Sequence, residues 1–169
     1  NKHKLCEYQS SEELIYEELD NELKLRNLKS SSNQFLILNI EKTNSNEIRI
    51  LSLDGSGKDK LTTFLQRQED HLYKIDHSNN IFYIQTNLNS PNYRIMQTMN
   101  ESISHIDESV ELIPHDSNVY IQDFVITSSY IILEVRKNGL PAISQYQKES
   151  FSVTEITLPD TSYFVSLAS

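Results

Sequence analysis

The sequence predicts an all-β fold, a partial β-propeller of about three four-stranded antiparallel blades with flanking strands. Three observations predict it. Short apolar runs recur at a nearly constant spacing, Ser/Asn/Gly turn residues separate them, and four such runs fit into each repeat. Four strands in a repeat of roughly 40–50 residues is the pattern of a propeller blade.

The anchor column is Phe35-Leu36-Ile37-Leu38, Phe82-Tyr83-Ile84 and Ile131-Ile132-Leu133, with spacings of 47 and 49 positions. Seven residues before each anchor stands another apolar residue: Leu28, Ile75 and Phe124. The segments between carry Ser30-Ser31-Ser32-Asn33, Asp76-His77-Ser78-Asn79-Asn80 and Thr127-Ser128-Ser129. Such residues favour tight turns, so each pair of runs reads as a β-hairpin. A third column is Ile48-Arg49-Ile50-Leu51, Tyr93-Arg94-Ile95-Met96 and Pro141-Ala142-Ile143; a fourth is Leu65, Ile113 and Leu158. Pro114 and Pro159 follow the last two directly, and proline, which cannot donate to a ladder, suits a strand end. Further turns are expected at Lys42–Asn46, Asp54–Gly57, Asn87–Asn92 and Lys137–Gly139.

The N-terminal segment poses a conflict. Ser10-Ser11-Glu12-Glu13 resembles a capping box, and Ile15, Leu19 and Leu23 have helical spacing, so local periodicity favours a helix over 11–28. The repeat favours strands, because Leu14-Ile15-Tyr16 falls in the fourth column and Leu23 lies 49 positions before Leu72. We follow the repeat. Blades are then expected at about 22–66, 71–114 and 119–158, with a strand remnant before them and another strand starting at Ser162-Tyr163-Phe164-Val165. Such an arc has two open flanks, and unpaired edges invite self-association of an isolated fragment. The chain starts at Asn1 without Met, which reads as a fragment or a processed product.

Composition excludes several classes. Fifteen basic and 24 acidic side chains give a net charge of −9, which repels nucleic acid. The apolar runs are too short to span a bilayer, so no membrane partner is expected. A single cysteine, Cys6, excludes an internal disulfide and a Cys-based zinc site, and with no visible signal peptide it fits a cytoplasmic location.

Catalytic chemistry is not expected within these residues. A nucleophile elbow needs Gly-x-Ser-x-Gly, and Gly55-Ser56-Gly57 is too compact. Lys58 is followed by Asp59 and not by Ser or Thr, so there is no phosphate loop; positions six and twelve of an EF-hand counted from Asp54 are Asp59 and Leu65, which fails too. His3, His71, His77, His105 and His115 have no metal-site spacing, a turn being expected after Ile75, and they read as surface or hydrogen-bonding groups. Neither a metal nor any other cofactor is expected. Asn100-Glu101-Ser102 is a sequon read as chance. Among the acids, Glu69, Asp70 and Asp116 precede first-strand segments and Asp123 lies in one. First strands line a propeller channel, so these four are the candidate substrate-gating residues.

The same columns carry a resemblance. Leu14-Ile15-Tyr16-Glu17-Glu18-Leu19-Asp20, Asn46–Asp54, Asp70-His71-Leu72-Tyr73-Lys74-Ile75-Asp76-His77, Phe82–Asn87, Asn92–Met96, Leu112-Ile113-Pro114-His115-Asp116 and Tyr120–Phe124 together resemble the propeller of the prolyl oligopeptidase family of serine peptidases, in its oligopeptidase B branch. The resemblance implies a seven-bladed parent propeller that acts as a lid over an α/β-hydrolase domain. That domain and its Ser-Asp-His triad have no counterpart here, so no catalytic residue is carried over and the fragment alone is expected to be inactive. The implied parent hydrolyses short peptides after Lys or Arg. Its catalytic domain is then the partner of this segment, and short basic peptides are the parent's substrates. A stand-alone propeller-type protein-interaction module is the alternative reading.

Overall fold

A computed structural model describes residues 23–55 and 60–156. Leu14-Ile15-Tyr16, Leu158 and the Ser162–Val165 strand expected from the repeat lie outside the described residues, as do Cys6, His3 and Ser56. The described residues form three four-stranded antiparallel sheets, each a simple meander. The first holds β1 (Lys24–Lys29), β2 (Phe35–Glu41), β3 (Asn46–Ser52) and β4 (Thr62–Leu65). The second holds β5 (Tyr73–Ser78), β6 (Ile81–Thr86), β7 (Arg94–Thr98) and β8 (Val110–Ile113). The third holds β9 (Val119–Ile126), β10 (Tyr130–Lys137), β11 (Leu140–Gln147) and β12 (Ser152–Ile156). Lys24–Lys29 is a strand, so within the described part of 11–28 the repeat prevails over helical spacing. Its side chains are mostly exposed, and its order comes from ladder pairing with β2 and not from a buried helical face.

Each periodic column takes the same place in its blade. Leu28 pairs with Ile37, Ile75 with Ile84 and Phe124 with Leu133, which is one register repeated three times. Leu65 and Ile113 pair with Ile48 and Ile95, each beside a bulge in the ladder between third and fourth strands. Two hairpins close through two-residue turns, Asn79-Asn80 and Asn138-Gly139, with all four residues at positive φ. That is the backbone that matches the right-handed twist of paired strands, and Asn and Gly tolerate it best. The second blade corrects the expected turn at 76–80. Asp76 and His77 are still in β5, paired with Tyr83 and Phe82, and the chain reverses only after Ser78. Asn residues at the left-handed positions decide where the reversal falls.

The second blade is buried on both faces. Phe82 and Ile84 of β6 pack with Phe35, Ile37, Ile50 and Phe64 of the first blade. Tyr83, between them in sequence, points the other way and joins Phe124, Ile131, Leu133 and Tyr146 of the third blade. Alternation along a strand sends successive side chains to opposite faces, so a strand apolar at every position serves two neighbours. The long β7–β8 connection is pinned by buried Ile103 and Ile106, the latter in a single 3-10 turn, Ile106–Glu108. His105 and Asp107 lie on that connection. Among the described residues no helix is long and apolar enough to cross a membrane.

Candidate functional site

The first strands of all three blades meet along one open groove of about 470 Å³. Arg26 and Leu28 come from β1, Lys74 and Ile75 from β5, and Gln122 and Asp123 from β9. Glu41 and Asn46 of the first blade close one side. The groove carries two cations and two carboxylates, and they are paired. Lys74 Nζ donates to Asp123 Oδ1 at 2.5 Å across the seam between second and third blades, 5.2 Å from the Phe124 ring centre. Asp123 Oδ1 also accepts the Phe124 N–H at 2.8 Å. Arg26 Nε lies 3.8 Å from Glu41 within the first blade. About a third of the Lys74 and Asp123 side-chain surface is exposed, so water and salt reach this pair.

Polar contacts lock the seams that shape the groove. Asn46 of β3 donates to Tyr73 O at 2.7 Å and accepts from Tyr73 N at 2.9 Å, making a two-way clasp between first and second blades. The Tyr73 hydroxyl, wholly within the seam, donates to Leu65 O at 2.5 Å and accepts the Ile48 N–H at 2.8 Å. Burial raises this phenol far above its ordinary range. Arg67 reaches back to the carbonyls of Ser45 and Ile40. At the next seam Gln85 Nε2 donates to Ile121 O at 3.0 Å, and Asn92 donates to the carbonyls of Asp116 and Ser117.

The four gating candidates do not converge. Asp123 alone lines the groove. Glu69 and Asp70 sit in the exposed loop between first and second blades, where Asp70 accepts from Asn44 Nδ2 at 2.7 Å. Asp116 is in the corresponding loop between second and third blades, with its carboxylate accepting the Asn118 N–H at 2.8 Å. Sequence reasoning missed Lys74 and Arg26, the groove's cations. A signal was available: Lys74 and Asp123 are 49 positions apart, one repeat length, and so face each other from neighbouring first strands.

Of the histidines, His71 and His77 take the hydrogen-bonding alternative and are buried. His71, two residues before β5, and His77, within it, are 1% and 3% exposed. His71 Nε2 and Thr86 Oγ1 are 2.7 Å apart, and His77 Nδ1 and Ser32 Oγ are 2.7 Å apart. Burial holds both imidazoles below their ordinary range, while Asp76 and Glu101 pull His77 the other way. No group of three or more His, Cys, Asp or Glu that could hold a metal occurs among the described residues.

Comparison with known proteins gives this arrangement a family. The model of the prolyl oligopeptidase N-terminal β-propeller domain matches residues 1–169. The chain is 25% identical to dipeptidyl aminopeptidase BI of Pseudoxanthomonas mexicana, covering 79% of this chain and 18% of that protein. It is 25% identical to protease 2 of Moraxella lacunata, covering 84% of this chain and 20% of that protein. The chain thus spans about a fifth of the curated relatives it matches. In three dimensions it is similar to oligopeptidase B from Trypanosoma brucei with covalently bound antipain in the closed form (TM-score 0.81, 20% identity, 95% of this chain and 24% of that one). It is also similar to oligopeptidase B from Leishmania major (TM-score 0.80, 19% identity, 95% of this chain and 24% of that one). The matched family model covers the whole sequence and agrees with the meander of each sheet: this chain belongs to the prolyl oligopeptidase family, as part of its N-terminal β-propeller domain.

Proposed function

We propose that this segment is a non-catalytic part of the substrate-gating lid of a cytoplasmic serine oligopeptidase, one that hydrolyses short peptides after Lys or Arg. The observation that carries the reading is the full-length match to the family's propeller domain. The groove lined by first strands of all three blades supports it, because the blades of a propeller surround a central channel. The catalytic domain of the same parent chain is the partner, and short basic peptides are its substrates.

Within the lid, the exposed acids of the inter-blade loops, Glu69, Asp70 and Asp116, enrich cationic peptides near the channel through long-range attraction. Asp123 acts differently, because its charge is already met by Lys74. The isolated segment has no hydrolytic machinery of its own, and it self-associates through its open flanks. Glu69→Lys with Asp116→Lys in the full-length enzyme tests the gating role. The expected result is slower turnover of Arg-rich peptides at low salt, with recovery at high salt as screening removes the field. An unchanged rate at low salt contradicts the gating role, and a full-length protein that hydrolyses no peptide contradicts the peptidase reading itself.

A further inference from the structure

We propose that the seam between the first and second blades is an acid-released clasp, with His77 and His71 as its two protonation points. The inference concerns the fold and holds whatever the parent hydrolyses. Its basis is placement. His77 is in β5 and His71 lies two residues before it, so the rings bracket a strand of the second blade that packs on the first, and both are almost fully buried. His77 packs between Phe35 of the first blade and Phe82 of the second, at ring-centre distances of 4.7 and 4.5 Å. Its Nδ1 bonds Ser32 of the first blade, and its carbonyl accepts the Ser32 N–H at 2.9 Å. His71 packs on Tyr73 at 5.1 Å, and its carbonyl accepts the Asn46 N–H at 3.2 Å. Each histidine therefore belongs to a cross-blade backbone bond.

A proton on either ring places a charge where the surroundings are aromatic and hydroxyl, and burying charge without a counter-ion is costly. The charged groups around each ring are engaged elsewhere. Asp76 takes the Ser31 and His77 N–H groups at 2.8 and 2.7 Å, together with the Ser31 hydroxyl, and acts on His77 only through space. Glu101, on the β7–β8 connection, acts on His77 the same way, and Lys148 of the third blade faces Asp76. Around His71, Arg67 is tied to carbonyls, Asp70 to Asn44, and His105 and Asp107 line the cleft beyond it. Among the described residues the next seam has no buried histidine: its backbone bond, Ile121 N–H to Asn92 O at 3.0 Å, is a built-in control.

The sign follows from linkage. Both rings are harder to protonate in the closed seam than in an opened one, so the seam is firm above the ordinary histidine pKa and loosens as pH falls through that value toward the folded ones. With an opened-state pKa of about 6.5, the closed-to-open ratio falls by up to about thirtyfold per histidine between pH 7.5 and 5. Amide hydrogen exchange in the full-length protein, corrected for intrinsic rate and resolved to Ser32, Asn46 and Ile121, reads this directly. Protection at Ser32 and Asn46 falling at least about fivefold more than at Ile121 supports the clasp. Equal losses at all three overturn it, as does a folded His71→Gln/His77→Gln variant that keeps the same difference. Should that variant not fold, the wild-type profile alone decides.

Discussion

Replacing Tyr73 by Phe removes one oxygen from the seam between the first two blades and leaves the ring in place. That oxygen completes a ladder belonging to the other blade. Between β3 and β4 the register shifts at Ile48/Arg49, and at that irregularity the hydroxyl of Tyr73 takes the Ile48 N–H and donates to the Leu65 carbonyl. Tyr73 is 4% exposed, and Phe64 beside Leu65 is fully buried, so no solvent replaces the lost group. Two buried backbone groups are left without partners, each costing about 1–3 kcal/mol, so the substitution destabilises by about 2–6 kcal/mol with little volume change. Equilibrium urea unfolding of the full-length protein, followed through the propeller transition, measures it as a lower midpoint at unchanged slope. A shift of less than about 0.5 kcal/mol, the range of an ordinary surface substitution, refutes the claim that the hydroxyl stitches the bulge.

Further outcomes are expected. Phe82→Ala opens a cavity among Phe35, Phe64 and His77 and costs about 3–5 kcal/mol by the same unfolding assay. A double-mutant cycle on Lys74→Ala and Asp123→Ala gives a coupling of about 0.2–1 kcal/mol that shrinks in high salt, because the pair is within reach of water. Gly139→Ala has open space for its methyl group but must hold φ +78, and it lowers stability by about 1 kcal/mol, measured by thermal unfolding.

Much of the fold was legible because a propeller repeats one physical problem. A blade buried on both sides needs apolar residues at consecutive positions, and Phe82-Tyr83-Ile84 shows this before any coordinates do. The positions of Leu28, Ile75 and Phe124, seven residues ahead of their anchors, translated into identical register. Helical spacing near Leu23 competed with the repeat, which prevails over Lys24–Lys29, because amphipathic periodicity says nothing about a ladder partner further along the chain. The turn after β5 was misplaced since Asp76 and His77 have turn-like composition, while the left-handed conformations fall on Asn79 and Asn80. The candidate site was less legible. Acidic residues stood out by charge, yet charge in sequence does not reveal its compensation in space. Lys74 cancels Asp123 across a seam that only the stacking of blades creates. The burial of His71 and His77 arises in the same way, from contact between repeats and not from their own sequence neighbourhood.

The lid reading is tested most directly by the length dependence of hydrolysis in the full-length protein. Peptides with one internal Arg, graded from a few residues to several tens, are compared with a folded protein carrying the same exposed Arg sequence. The account predicts cleavage of the short peptides, a steep loss of rate as length grows and none on the folded protein. Equal cleavage of short peptides and folded protein would contradict it.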